Sequence, residues 1–367
     1  PVDAEKSTLE AFQGTEVDIE KEHAGIEVLR AYIEKNRAAL VLLHEAARLP
    51  RCRFDLAYAD GFFVVLSHYA GVRKAWVLMS LDARLLLAEG KRAEALRAIQ
   101  DLYLLSDALR EEPLLTSMFW RTAAHHEAGN TLRRALQDPL TDTETLASLA
   151  ETLEKGRNDD HFARALRGEQ CLGVDMMDRL PPENLEREIL VAGILVRVAW
   201  VHRYFDWARY SDRAFFLRTM SAGSALAERA WWQTRAEESK LSEEVDAAPP
   251  WYLQSRALLP SLARSRYVWT LHLAKRDGAR LAVALARYRL SNGAYPGKLE
   301  QLVPAWLPEL PLDPFTGKPF IYEVKGESAR VYSLDPLGLD SPAGRTSQDG
   351  EAPILWPLGA QKPFHGK

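Results

Sequence analysis

The run Leu290-Ser-Asn-Gly-Ala-Tyr-Pro296 divides the chain into two kinds of sequence. Before it, Leu281-Ala-Val-Ala-Leu-Ala-Arg-Tyr288 is strongly apolar at helical spacing. Asn292-Gly293 is a stop signal, since both residues accept the left-handed backbone that ends helices, and the residue before Pro296 is biased toward extended geometry. After it come Leu310-Pro-Leu-Asp-Pro-Phe-Thr-Gly317, Phe320-Ile-Tyr-Glu-Val324 and Ala329-Arg-Val-Tyr-Ser-Leu334. The order predicted is helix, Tyr-Pro turn, short helix, Asp-Pro-Phe loop, small hairpin and acidic Gly-rich loop.

The whole chain of 367 residues suits two domains or one extended helical array. Hydrophobic residues at 47% and charged residues at 27% are those of a globular protein. A net charge of −4 gives no electrostatic case for nucleic acid. Arginines alternate with acids, as from Glu89 to Arg97, in the manner of solvated helical faces. Cys52 and Cys171 are too few for a disulfide framework and are expected as buried free thiols. No run of 18 apolar residues spans a membrane. The chain starts at Pro1 without Met, so an upstream segment is expected to have been removed.

Residues 1–24 form an acidic arm, and 25–240 read as a helical array. Phe62 to Leu87 is apolar on several faces, as in a helix sandwiched between neighbours. Gly90 breaks it, and Arg92 to Leu109 follows. Around Gly90, with Ala83, Ala88, Ala95 and Pro113, the sequence resembles a tetratricopeptide-type hairpin. No strict period of about 34 residues runs through it, so the array is an irregular set of α-hairpins. Further helices are predicted at Leu114–Leu136, from a Thr141/Glu144 capping box to Glu154, and at His161–Met177. Two more, Leu185–Ala208 and Phe215–Thr234, are rich in aromatics. Residues 241–257 read as a linker. A last helix runs from about Leu258 to Leu290, with a candidate break at Asp277-Gly278, and belongs to a C-terminal unit, 258–367.

Adjacent His125 and His126 point about 100° apart on a helix and do not co-ligate a metal; one is expected packed and one exposed. His44, His68, His202 and His272 stand singly, as hydrogen-bonded core or interface histidines do. The chain has no Gly-x-Ser-x-Gly elbow, phosphate loop or dinucleotide fingerprint. Arg51 and Arg53 would favour the Cys52 thiolate, but no base is identifiable and no catalytic residue is assigned. Asp159-Asp160 and Glu243-Glu244 read as solvated pairs. Trp231, Trp232, Trp251 and Tyr252 flank the linker, either as packing between helical layers or as anchors for a protein partner. Asp335, Asp340, Asp349 and Glu351 lie among glycines, a hard-oxygen set that suits calcium.

Residues 279–356 resemble the globular module of type II secretion major pseudopilins. The likeness rests on the Ala-rich helix ending Tyr288-Arg-Leu-Ser-Asn-Gly293, on Tyr295-Pro296, Leu299 and Leu302, and on Leu312-Asp-Pro-Phe315 with Gly317. It continues through Phe320-Ile-Tyr322 and Val331-Tyr-Ser333. It implies a helix packed on a small antiparallel sheet and a calcium loop with Asp335, Asp340 and Asp349 as ligands. In the pseudopilins a membrane helix precedes this module directly; here about 278 residues of helical sequence do, and the loop Ser333-Leu-Asp-Pro-Leu-Gly338 lacks an early glycine. The whole arrangement also resembles uncharacterised envelope-anchored proteins of planctomycete-type bacteria.

The expectation is therefore a mostly α protein: an irregular, tetratricopeptide-like α-hairpin array followed by a small C-terminal α+β pseudopilin-like module. Its expected role is a non-enzymatic scaffold or assembly protein of the cell envelope or periplasm, binding protein partners through the array, with calcium as the sole candidate cofactor. One alternative is a hydrolase with its site at the junction of array and module, in a cleft lined by Trp231, Trp251 and His272. The other is a filament or lattice subunit using an exposed flank of helix 279–290.

Overall fold

Helix-forming periodicity prevails along most of the chain, and the architecture is mostly helical with one small three-stranded sheet. The computed structural model describes residues 23–137, 142–156, 159–179, 205–259, 261–333 and 354–359. The helices are α1 (His23–Lys35), α2 (Arg37–Ala47), α3 (His68–Ala88), α4 (Arg92–Ser106), α5 (Leu115–Ala135), α6 (Thr143–Lys155), α7 (His161–Arg179), α8 (Asp206–Ala227), α9 (Trp231–Asp246), α10 (Leu253–Leu258) and α11 (Ser261–Asn292). Short 3-10 turns occupy Tyr58–Phe63, Asp107–Leu109 and Leu299–Leu302. The strands β1 (Ile321–Lys325), β2 (Ser328–Ser333) and β3 (Ile354–Leu358) form an antiparallel meander. Among the described residues no helix is long and apolar enough to cross a membrane.

The expected stop after the apolar helix is where it should be. Gly293 takes a φ of 77°, which a side chain would strain, and its N–H bonds the Arg289 carbonyl. Upstream of that stop, residues 279–286 of α11 are buried on every side. Helix α11 as a whole packs on α5 and α6 of the array and on β2 and β3 of the sheet. One apolar core thus runs from Leu29 and Ile33 of α1 through Met79, Ile99, Leu132 and Leu149 to Val331, Trp356 and Leu358 of the sheet. A second core joins α7, α8 and α11 around Phe162, Phe216 and Trp269. On β2 the pleat turns Ala329, Val331 and Ser333 inward. Outside, Arg330 and Tyr332 both bond Glu323 of β1.

Several boundaries differ from the sequence reading, each for a physical reason. The helix expected over Phe215–Thr234 is two helices, broken between Ala227 and Trp231. Buried Arg266 of α11 donates to the carbonyls of Leu226, Ala227 and Arg229, and so satisfies the open end of α8. The stretch 241–257, expected as a linker, holds the end of α9 and all but the last residue of α10. Buried Asp212 of α8 accepts the backbone N–H groups of Gln254 and Ser255 and pins it. The cap of α6 is Asp142, which accepts from the Thr145 N–H at 3.0 Å, not Thr141. Asp277-Gly278 does not break α11, and the strand Ile354–Leu358 was not anticipated. Cys52 and Cys171 are free and exposed, not buried: the first lies in an irregular stretch, the second on the outward face of α7. Residues 1–22 of the acidic arm, Thr141, the Pro181-Pro182 turn and His202 lie outside the described residues.

Gly278 is the point where the sheet meets α11. A Cβ there would lie 2.4 Å from Nε1 and 2.6 Å from Cδ1 of Trp356. Gly278→Ala is expected to force that ring aside and to cost roughly 1–3 kcal/mol. A urea titration should show a lower midpoint at an unchanged slope.

Candidate functional site

A cavity of about 320 Å³ opens where the helical array meets the C-terminal sheet. On α5, His126, Gly129 and Arg133 follow one another at spacings of three and four, the interval that keeps residues on one helix face. On α11, Val268, Leu271, His272 and Lys275 do the same. The two faces oppose each other, Tyr103 of α4 forms one wall and Trp356 of β3 another. Phe119, Leu271, Val268 and Trp356 make much of the lining apolar, while His125, His126, Arg133, His272, Lys275 and Arg276 bring every titratable group other than Tyr103. No carboxylate belongs to this lining.

Beneath the cavity lies a buried charge network. Arg121, only 1% exposed, is held between Asp107 at 2.7 Å and Asp159 at 2.6 Å. Against the cost of burying both carboxylates, its guanidinium holds their pKa values below the ordinary range. His161 accepts from Arg121 through Nδ1 and donates through Nε2 to the Glu112 carbonyl. Burial and the neighbouring guanidinium push it down to about 4, so it is neutral. Asp107 also bonds His125 Nε2 at 3.0 Å, which leaves the Nδ1 atom of that ring without a protein partner. His272 stands at right angles to His125, ring centroids 5.0 Å apart. It is 5% exposed, its Nε2 is likewise unpartnered, and burial, then His125, hold it well below the ordinary histidine value. Two buried ring nitrogens without protein partners, His125 Nδ1 and His272 Nε2, therefore line one cavity.

At the cavity mouth the Lys275 ammonium donates to His126 Nδ1. Burial and then Arg133 lower Lys275 to about 8. Burial, Lys275 and Arg133 lower His126 to about 4, although part of its ring stays open to solvent. Arg276 is committed to the Gly156 carbonyl and to Asp277, and acts on the cavity through charge alone. Lys275, His126 and Arg133 thus bring the donors of this wall, Arg133 also bonding Asn130 on its own helix.

The residues singled out from sequence are placed otherwise. Trp231 is 8% exposed and packs edge-on against Phe315 in the first core. Tyr252 packs on Phe215 of the second. Trp232, 42% exposed, lies over Gly317, and Trp251 abuts Trp207. Trp231 and Tyr252 thus belong to different cores. Asp335, Asp340 and Asp349 lie outside the described residues; among those described, no group of three or more His, Cys, Asp or Glu is arranged to hold a metal ion. Cys52 has its pKa raised by partial burial and by Glu112, since Arg51 and Arg53 point into solvent. Asp159 is not the solvated carboxylate expected but the buried partner of Arg121; Asp160 stays outside, on Arg164. Of the cleft expected at the junction, His272 is present, whereas Trp231 and Trp251 do not line it. The Lys275–His126 contact joins residues 149 apart, which no local spacing could reveal.

Acid should weaken the fold in two stages. The unfolded chain protonates His161 and His272 near pH 6.5, whereas the folded chain keeps them neutral. Their stabilisation is intact above that pH and declines as pH falls toward about 4. Asp107 and Asp159 contribute above the ordinary carboxylate range and are lost below it. Arg121→Leu leaves two buried carboxylates unpaired and should cost roughly 3–5 kcal/mol at neutral pH. That gap should narrow at pH 4, where the freed carboxylates protonate; denaturant titrations at both pH values measure it, and a constant gap would contradict the network.

Comparison with protein-family models, curated proteins and solved structures finds no match, so the function is argued from the geometry above.

Proposed function

We propose that the junction cavity binds a small organic anion, with an apolar body against Trp356, Phe119 and Leu271 and its charged group on Lys275, His126 and Arg133. The supporting observation is the lining itself: several cationic or protonatable side chains on apolar walls, with no carboxylate among them. Such convergence in a concave apolar setting is the usual form of a small-molecule site. It favours ligand binding over the scaffold expected from sequence, two of whose aromatic anchors, Trp231 and Tyr252, are taken up by separate cores. A hydrolytic use of the same cavity is supported by Asp107 and His125: the carboxylate orients the ring, and the unpartnered Nδ1 can take a proton from water. The filament reading draws no support from α11, whose residues 279–286 have no free flank.

The finer fold relations belong to the same proposal. The α3–α4 hairpin supports the tetratricopeptide likeness. Helix α11, the 3-10 turn at Leu299–Leu302, the Asp313 turn and the sheet support the pseudopilin likeness of residues 279–356, which carries the envelope location and the calcium loop with it.

Binding should take up a proton. The titratable groups that share the cavity with Lys275 are His125, His126 and Arg133 of α5, His272 and Arg276 of its own helix, and Tyr103 of α4, and none is a carboxylate. An anion stabilises the charged ammonium, so affinity should be nearly flat below pH 8 and fall about tenfold per unit above it. Lys275→Met should remove this slope and weaken binding about 10- to 100-fold. Titration calorimetry with aryl and alkyl carboxylates in buffers of different ionisation heat reads both; no heat from any of them, in wild type, would overturn the proposal.

A further inference from the structure

Among the described residues the fully buried arginines are matched to acids. Arg84 pairs with Glu127, Arg121 with Asp107 and Asp159, Arg266 with Glu238, and Arg280 with Glu154 and Asp277. Lys275 is half-buried in the cavity wall, yet among the described residues its polar partner is the neutral His126 ring rather than a carboxylate. A lysine kept as a mere structural charge gains from an acid partner. One set beside other cations against apolar walls is instead in the setting that makes an amine nucleophilic near neutral pH.

We propose that Lys275 forms a reversible imine with the carbonyl carbon of a 2-oxo acid held in this cavity. The inference rests on the anion reading above and names its ligand class. The carboxylate of the acid meets Arg133 while its apolar end lies toward Trp356. The unprotonated Lys275 amine adds its lone pair to the carbonyl carbon, and the carbonyl oxygen takes up the proton that nitrogen loses. The resulting hydroxyl, protonated once more, leaves as water as the carbon–nitrogen double bond forms. The ammonium and the oxo acid thus become a protonated imine and one water, with no oxidant or reductant. His126 positions the nitrogen through Nδ1, and its open edge lies at the cavity mouth, where water can leave. The depressed pKa of Lys275 supplies a working fraction of free amine at neutral pH.

Borohydride trapping tests this on the intact chain. Wild-type protein is incubated with pyruvate or phenylpyruvate, reduced and mapped by peptide mass spectrometry. The expected result is a mass gain on the Lys275 peptide equal to the acid less one oxygen atom. It should be suppressed by an excess of the corresponding 2-hydroxy acid, absent in Lys275→Arg, and increased from pH 6 to pH 8. Circular dichroism of the Arg variant checks that it is folded, and mapping of wild type needs no variant. If 2-oxo and 2-hydroxy acids both bind by calorimetry but no adduct forms, or adducts spread evenly over the lysines, the imine is overturned and the anion site stands. If neither acid, nor any other carboxylate, binds or is trapped, both are overturned.

Discussion

The enclosure of α11 between Ala279 and Ala286 is the constraint on which the rest of the molecule depends. A helix segment apolar on every face but the one that carries Arg280 has no stable place at a surface, so partners must reach it from all sides. Its alanines bring those partners close: α5 and α6 pack on it from the array, β2 and β3 from the sheet. The C-terminal strands consequently complete a core begun at Leu29. Trp356 can approach the helix closely because position 278 carries no side chain. The same approach closes one wall of the junction cavity, so stability and the candidate site share a single set of contacts.

Buried arginines form the second layer of the design. Removing a guanidinium from water is costly unless its hydrogen bonds and charge are both answered. Arg121 is answered by two carboxylates, Arg266 by the carbonyl end of α8 together with Glu238, and Arg280 by Glu154 and Asp277. These pairings consume the acids near the helix junctions. The cavity above them is left with cations, neutral histidines and apolar walls. The anion preference proposed for it follows from how the charges below it are neutralised.

Much of the architecture could be read along the chain, because helices and hairpins are written in short-range periodicity. Gly90, Gly293 and the alternation around Val331 marked elements that occur. The break between α8 and α9 could not be read, since it is decided by Arg266 from a helix remote in sequence. The linker assigned to 241–257 failed for a similar reason: Asp212 orders a polar stretch whose composition alone looks flexible. Asp159 looked solvated because its neighbour Asp160 is, and only the third dimension brings Arg121 to one and not the other.

The site was the least legible part. His272 stood out singly and His125 was weighed for the wrong chemistry, as a metal ligand beside His126, when its partner is Asp107. Lys275 and Arg133 carried no local signal. By itself the sequence determined a mostly helical chain, the end of its last helix at Asn292-Gly293, and a small sheet beyond it, because backbone preference and hydrophobic period are local properties. The tertiary structure alone decided which charges are buried and paired, and where Lys275 meets a histidine rather than a carboxylate among the described residues. Those outcomes depend on desolvation and on distances between residues far apart in the chain, and neither is set by neighbours in sequence.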